Sequence, residues 1–316
     1  MSSVRAAVVE SFGQPPRYTT IPAPVARDGE ELVDVLAVGI HPATRGVAAG
    51  QHYTNTRQPP TVAGIDAVVR RRDGALAMVM APGTGTLAET IAVDPTALIP
   101  LPGGADPAVT AATLNPALSS WVALHARVGF RAGQSILVIG ATGNAGSMAV
   151  AVARLMGARR VVAAGRNRER LRQLRAEGAD ATVVITPDDA DMAAYAAEAA
   201  DVDTVLDYVW GPGTARAMAA IDRARQDHTR VLDWVQVGGM GGTDITLGGH
   251  LFRHNALRIS GSGFGSVPME RADLPGLAAA IAAGKLAVTP RPVPLADVQA
   301  AWQREDPAGA RTVVVP

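Results

Sequence analysis

The chain contains no cysteine, so disulfide frameworks, thiolate nucleophiles and cysteine-based zinc sites are excluded together. Lysine is nearly absent as well. Lys285 is the only one among 29 basic residues, which argues against Schiff-base chemistry and against a lysine-dependent phosphate loop. Net charge is zero, 29 basic residues standing against 29 acidic ones, so no bulk electrostatic attraction draws the chain to nucleic acid or to an anionic membrane. No apolar run approaches the roughly eighteen residues of a membrane span, and the N-terminus meets charge at Arg5, too soon for a secretory apolar segment. These absences predict a cytoplasmic chain with neither nucleic-acid nor membrane partners. What is present is ordinary for a soluble globular chain with a sizeable core: 48% hydrophobic and 18% charged residues over 316 positions, a length that suggests two domains.

The most informative stretch is SILVIGATGNAGS, residues 135–147. Five residues rich in branched aliphatics run into a turn carrying Gly140, Gly143 and Gly146. The turn opens onto MAVAVARLM, residues 148–156, which lacks glycine and proline and suits a helix. Counted from Ala141 the turn reads A-x-G-x-x-G, the dinucleotide fingerprint with alanine in its first place. Gly143 would let the backbone approach a pyrophosphate, Gly146 would let the helix lie against the strand, and the free amides of the helix N-terminus would face the phosphates. Gly157 offers a helix stop, and RVVAA at 160–164 reads as a second parallel strand, completing a β-α-β unit. We therefore expect Ala141, Thr142, Gly143, Asn144, Ala145 and Gly146 to bind a dinucleotide. The alternative is a purely structural turn, since glycine-rich turns follow buried strands in many α/β proteins.

A site for NAD usually carries Asp or Glu about twenty residues beyond the glycines to hold the ribose hydroxyls. That place is occupied here by Gly165, Arg166 and Asn167. Arg166 could pair with a 2′-phosphate through its planar fork, with Arg170 one helical turn further on, so NADP(H) is the expected cofactor. The alternative reads Arg166, Arg168, Arg170 and Arg172 as the solvated face of a helix.

Around this unit the chain changes character. Short strand-like runs at 5–9, 31–38, 63–71, 76–80 and 87–93, divided by Gly/Pro/Asp turns, predict an antiparallel β-rich domain. A helix is expected over 106–128, interrupted near Asn115 and Pro116. Beyond the second strand come a helix at 167–177, a strand at 181–185, a helix at 189–200, a strand at 203–209, a helix at 213–225 and a strand at 230–237, with a last strand at 257–263 after a loop over 238–254. Such alternation implies a parallel sheet covered on both faces. The tail suggests a helix at 274–283, a turn at 290–294, a short helix at 295–303 and a closing strand at 311–315.

The order of these parts resembles the medium-chain dehydrogenase/reductase superfamily and, within it, the zinc-free quinone oxidoreductase branch. The likeness covers nearly the full length and is carried by GIHPAT at 39–44 with QHY at 51–53, GTGTLAE at 83–89, LSSWVAL at 118–124, GATGNAG at 140–146, EGAD at 177–180, VLD at 205–207 and PLADV at 294–298. The resemblance implies a Rossmann-type doubly wound parallel sheet inserted into a GroES-like β-rich catalytic domain, with the active site in the cleft. The corresponding boundaries are 1–118 for the first part of the catalytic domain, 119–256 for the NADP-binding domain, and 257–316 for the last sheet strand and the return to the catalytic domain. Zinc-dependent members carry Cys at the place of His41 and Gly-His-Glu at the place of Gly64, Ile65 and Asp66, and they have a four-cysteine lobe absent here. No metal site is expected. Quinone oxidoreductase relatives more often show Asn where this chain has His41.

Two residues are expected at the chemistry. His41 follows a predicted strand and could donate a hydrogen bond to a substrate carbonyl or to the nicotinamide ribose; otherwise it is a loop histidine bonded to backbone. Tyr53 matches a tyrosine that the resembling enzymes place beside the substrate, where a phenol can donate to an oxygen gaining charge and offers an aromatic wall; otherwise it is a surface tyrosine. Its neighbour His52 is expected to be exposed. Val237 and Gly238, then Ser262, Gly263 and Phe264, end late strands on the carboxyl side of the sheet, where backbone groups would hold the nicotinamide carboxamide. Asp207 and Tyr208 end another strand where the cofactor's ribose and pyrophosphate run, and a structural role suits both equally. His250 and His254 share an i, i+4 spacing with no carboxylate nearby, which reads as chance. Together these readings predict a zinc-independent oxidoreductase passing hydride from NADPH to an electrophilic small-molecule acceptor, a quinone or an α,β-unsaturated carbonyl. Another acceptor (carbonyl, imine or biosynthetic intermediate) and a low-turnover redox sensor are the alternatives. A homodimer joined through residues 257–260 is expected by the same resemblance.

Overall fold

The computed structural model describes residues 2–55, 57–80, 85–186, 190–263 and 265–316. Its chain path divides into two compact units, one formed by Met1–Asn115 with Leu274–Pro316 and the other by Pro116–Asp273. The first begins with β1 (Ser3–Val9), which pairs antiparallel with β2 (Arg17–Pro22). Then come β3 (Glu31–Gly39), the short helix α1 (Pro42–Ala48) and β4 (Thr61–Val62), which also pairs with β1. Next are β5 (Asp66–Arg70), β6 (Leu76–Met80), β7 (Thr90–Val93) and β8 (Leu98–Pro100). Valine, isoleucine, leucine and alanine supply the strands' inward side chains, and Val35, Val38, Ile40, Val69, Val79, Leu87 and Ile91 are among the buried residues of one core. β2 has no counterpart among the expected strands because its largely exposed, polar residues carry little apolar signal.

Helix α2 (Pro107–Val122) runs straight through Pro116, where a break was expected. A fixed proline φ near −65° is compatible with a helix, so the ring removes one backbone bond without stopping the turn. The helix ends instead in a π-turn over Ala123–Arg127.

The second unit alternates strand and helix: β9 (Ser135–Ile139), α3 (Asn144–Leu155), β10 (Arg160–Gly165), α4 (Arg168–Ala176), β11 (Ala181–Val184), α5 (Met192–Ala199), β12 (Thr204–Asp207), α6 (Pro212–Ala224), β13 (Leu232–Gln236), α7 (Leu251–His254) and β14 (Leu257–Gly261). Every neighbouring pair is parallel, in the order β11-β10-β9-β12-β13-β14. This is a doubly wound sheet whose direction of winding reverses between β9 and β12, so a crevice opens at the carboxyl ends of those strands. All five residues of β9 are buried, which is why the run is apolar without alternation. The first expected residue of α5, Asp189, lies outside the described residues.

The tail returns through α8 (Leu274–Ala282), β15 (Thr289–Pro294), α9 (Val298–Trp302) and β16 (Ala310–Val315). β16 pairs with β3, and β15 pairs parallel with β16, so the tail joins strands of the first hundred residues in one mixed sheet in the order β15-β16-β3-β5-β6-β8, with β7 also on β3, while β2-β1-β4 form a separate sheet. Residues 290–294, expected as a turn, are therefore a strand. The reason is positional: Thr289 N–H points inward, donating to Gly309 O at 3.0 Å, so the alternate Pro290, Pro292 and Pro294 place their missing donors on the open side of an edge strand. Among the described residues no helix is long and apolar enough to cross a membrane.

Candidate functional site

Strand β9 ends in Gly140, whose φ of +86° turns the chain sharply toward α3. Gly143 caps α3 in extended conformation, φ −83° and ψ 165°, and is exposed. A side chain at Gly146 would stand 2.2 Å from Gly140 O and 2.8 Å from Ala141 Cα, so only glycine lets α3 close on the strand. At Gly143 a side chain would meet nothing nearer than Gly140 O at 3.6 Å, so the turn is open on the side that a ligand would approach. Ala141 is buried, Thr142 packs over Gly165, and Asn144, Ala145 and Gly146 form the first turn of α3, where backbone amides lack intrahelical acceptors. Ser147 ties the turn down, its hydroxyl donating to Ala141 O at 2.9 Å.

Beyond β10 the two arginines part company. Arg166 is exposed, and among the described residues its guanidinium has no hydrogen-bond or ionic partner. Asn167 caps α4 by accepting from Arg170 N–H at 3.0 Å. Arg170 is already engaged: its Nη atoms grip Glu177 at 2.6 and 2.8 Å, and its Nε donates to Ser147 Oγ at 3.3 Å. The pair expected to share one phosphate thus divides into a free fork and a structural one.

Asp207 is fully buried and accepts four hydrogen bonds, from the amides of Val209 and Trp210 and from Thr214 Oγ1 and Trp234 Nε1. Those bonds shape the loop into α6 and hold Trp210 at a φ of +57°. Its role is structural. Tyr208 packs over Gly140, with its hydroxyl 3.1 Å from Ser119 Oγ; burial pushes the phenol up to about 12, against the opposing pull of hydrogen bonds with Ser119 and Ser120. It stays protonated at neutral pH.

The amides of Val237 and Gly238, expected to face the nicotinamide, both donate to Asp207 O at 2.8 and 3.1 Å, and Gly238 O accepts from Gln236 Nε2. Ser262 N–H donates to Gln236 O and Gly263 N–H to Ser266 Oγ. Of these four backbone donors, none is free for a ligand. Phe264 lies outside the described residues.

In the other unit His41 is 1% exposed and caps α1, Nδ1 accepting from Thr44 N–H at 3.4 Å while Nε2 lies 3.1 Å from Asp66 Oδ2 and 3.0 Å from Thr44 Oγ1. Both ring nitrogens are occupied, so the imidazole offers nothing to a substrate in this structure. Sequence reasoning missed Asp66, 25 residues away, as its partner. Tyr53 is 69% exposed and stacks on His52, ring centroids 4.5 Å apart. His52, expected to be exposed, is half-buried. The ring of His254 lies tilted against that of His228, centroids 4.1 Å apart, and faces Asp222 rather than joining His250.

Residues 145–283 match the family described as Zinc-binding dehydrogenase. A probable NADPH-dependent quinone reductase, tdiC, of Emericella nidulans is 34% identical over 362 aligned positions, covering 99% of this chain and all of that one. A quinone oxidoreductase from Thermus thermophilus, solved also with NADPH, is 26% identical with a TM-score of 0.77, covering 99% of this chain and 100% of that one. An alcohol dehydrogenase from Pyrobaculum aerophilum shares the fold at 24% identity, with a TM-score of 0.75 and full coverage of both chains.

The donor set does not fit the zinc ion that the first description implies. The sequence has no cysteine, and among the described residues no three His, Cys, Asp or Glu side chains gather. His41 and Asp66 meet as a pair without a third donor, and the second nitrogen of His41 is spent on α1. The arrangement of the parallel sheet, the glycine turn and the divided first unit, together with the full-length likeness to tdiC, identifies the chain as a member of the medium-chain dehydrogenase/reductase superfamily, in its quinone reductase-like branch.

Proposed function

We propose that the protein is a zinc-independent oxidoreductase that passes hydride from NADPH to a quinone or an α,β-unsaturated carbonyl. One observation carries the reading. At the carboxyl end of β10, where an NAD site needs a carboxylate, stands Arg166 with no partner among the described residues, beyond a glycine turn that is closed at Gly146 and open at Gly143. Further support comes from the likeness to tdiC, whose name states NADPH dependence and quinone reduction.

The residues present fit the cofactor. The open face at Gly143 and the first-turn amides of Ala145 and Gly146 would receive its pyrophosphate, and Arg166 would oppose the 2′-phosphate. When bound, NADPH would supply the hydride. The chain's own contribution is positioning. Asp207 and Ser147 hold the loops around the turn, Tyr208 covers Gly140 as a neutral phenol, and Tyr53 presents an exposed ring on which a planar acceptor can lie. His41 contributes indirectly, by fixing α1 and the turn after it.

The same reading carries a cytoplasmic homodimer joined along β14, the edge strand of the parallel sheet. Light scattering tests the oligomer: a single-chain mass would remove it. The reaction is tested by following NADPH oxidation across quinones, enones and simple ketones, with NADH in parallel. Turnover of quinones or enones with NADPH preferred is expected; silence across the panel with cofactor bound would overturn the proposed reaction.

A further inference from the structure

Ser147 binds the glycine turn twice. Its amide donates to Gly143 O at 2.8 Å and its hydroxyl to Ala141 O at 2.9 Å, so one residue of α3 fixes the carbonyls of both neighbours of Thr142. A trans peptide points its C=O and N–H in opposite directions, and the Ala141–Thr142 carbonyl is turned toward Ser147. Thr142 N–H therefore faces away from Ser147, and among the described residues it has no hydrogen-bond partner. The hydroxyl of Ser147 is itself held. Arg170 Nε donates to its oxygen at 3.3 Å, while the two Nη atoms of Arg170 grip the Glu177 carboxylate at 2.6 and 2.8 Å and Nη1 also donates to Gln173 Oε1 at 3.2 Å. The arginine side chain is 12% exposed and that of Glu177 50%, so the guanidinium is enclosed and the carboxylate that orients it stands open to water.

A chain of hydrogen bonds thus runs from the C-terminal end of α4, where Glu177 is the cap, to the glycine turn. Each link orients the next: Glu177 fixes the guanidinium plane, Arg170 occupies a lone pair of the Ser147 oxygen, and the hydroxyl proton is left with Ala141 O as its acceptor. Given the NADPH binding at this turn proposed above, on which this rests, we infer that Glu177 and Arg170 are positioning residues that act through Ser147 to hold the Thr142 amide toward the cofactor's diphosphate. The role needs no contact of either side chain with the cofactor. Because the diphosphate is common to NADPH and NADH, the relay sets the affinity for both and leaves the choice between them to Arg166. An isolated ion pair in water contributes little, but this one has its arginine enclosed and a third partner at the turn.

Calorimetric titration of the full-length protein with NADPH and with NADH compares wild type, Ser147→Ala, Glu177→Gln and the double variant. Each single substitution is expected to raise both dissociation constants about three- to tenfold, the loss of one ordinary hydrogen bond, with their ratio unchanged. The double variant is expected to lie within about twofold of Ser147→Ala alone, since Glu177 has nothing to act through once the hydroxyl is gone. In isotope-labelled protein, saturation with NADPH is expected to move the Thr142 amide proton downfield, and to move it less in Glu177→Gln. A merely structural ion pair would leave that shift as it is in wild type. Losses that multiply in the double variant, or a Glu177→Gln variant that binds both cofactors as wild type does, overturn the relay while cofactor binding at the turn stands. A wild-type Thr142 amide that NADPH leaves unmoved overturns the placement of the diphosphate on this turn, and the relay with it.

Discussion

The guanidinium of Arg170 is held at both Nη atoms by the carboxylate of Glu177, two helical turns further along the chain, at 2.6 and 2.8 Å. Arg166, four residues earlier and exposed, has no such partner among the described residues. The two therefore respond differently to mutation. Arg166→Asp is expected to weaken NADPH binding tenfold or more, since a charge-assisted pair contributes about 1.5–3 kcal/mol, and to move preference toward NADH. Arg170→Ala should leave the ratio of the two affinities nearly unchanged. Fluorescence titration with both cofactors measures this, and equal shifts in the two variants would remove the division of roles.

Gly143 and Gly146 belong to one motif but answer to different constraints. Gly143→Val places its Cβ in ordinary contact with Gly140 O and should keep the fold, with a melting temperature within about 2 °C of wild type, while abolishing cofactor binding. Gly146→Ala forces a methyl group against Gly140 O and should destabilise the second unit by about 1–3 kcal/mol. Circular dichroism on heating, paired with a cofactor titration, distinguishes the two.

Removing the His41 ring strands a carboxylate. His41→Ala leaves Asp66 buried at 3% exposure without its imidazole, and breaking such a buried pair costs about 3–5 kcal/mol. His41→Asn should cost less, because an amide oxygen can still cap α1. Urea unfolding of the two variants gives the comparison; equal losses would mean that the cap contributes nothing.

Asp203 supplies an acid-sensitive contribution. Burial opposes its ionisation, but hydrogen bonds from the Ser135 amide and hydroxyl and from Arg230 prevail, so its carboxyl titrates below the usual range. With the folded pKa depressed, the contribution is present above the ordinary aspartate value of about 4 and is lost as pH falls through the folded value. Asp203→Asn should therefore lower the urea midpoint at pH 7 and flatten its decline below about pH 4. An unchanged decline would assign the acid sensitivity elsewhere.

Legibility follows the range of the interactions. The β9–α3–β10 unit could be read because each requirement is local: an apolar run for a strand buried on both faces, glycine where the backbone turns, and glycine again where helix meets strand. The absent carboxylate after β10 was legible for the same reason. β15 was not, since three prolines in five residues imply a turn until a neighbour occupies the side that keeps its donors.

The sequence by itself determined the glycine turn and the alternation of strands and helices behind the doubly wound sheet, because spacing and composition over short stretches encode them, and it left no carboxylate at the end of β10. Tertiary structure alone decided which side chains remain available. It enclosed His41 against Asp66, committed Arg170 to Glu177, spent the amides of Val237 and Gly238 on Asp207, and left Nε2 of His52 without a partner among the described residues. A polar group's role depends on whether another group has already taken its hydrogen bonds, and most of those partners come from sequence-distant residues.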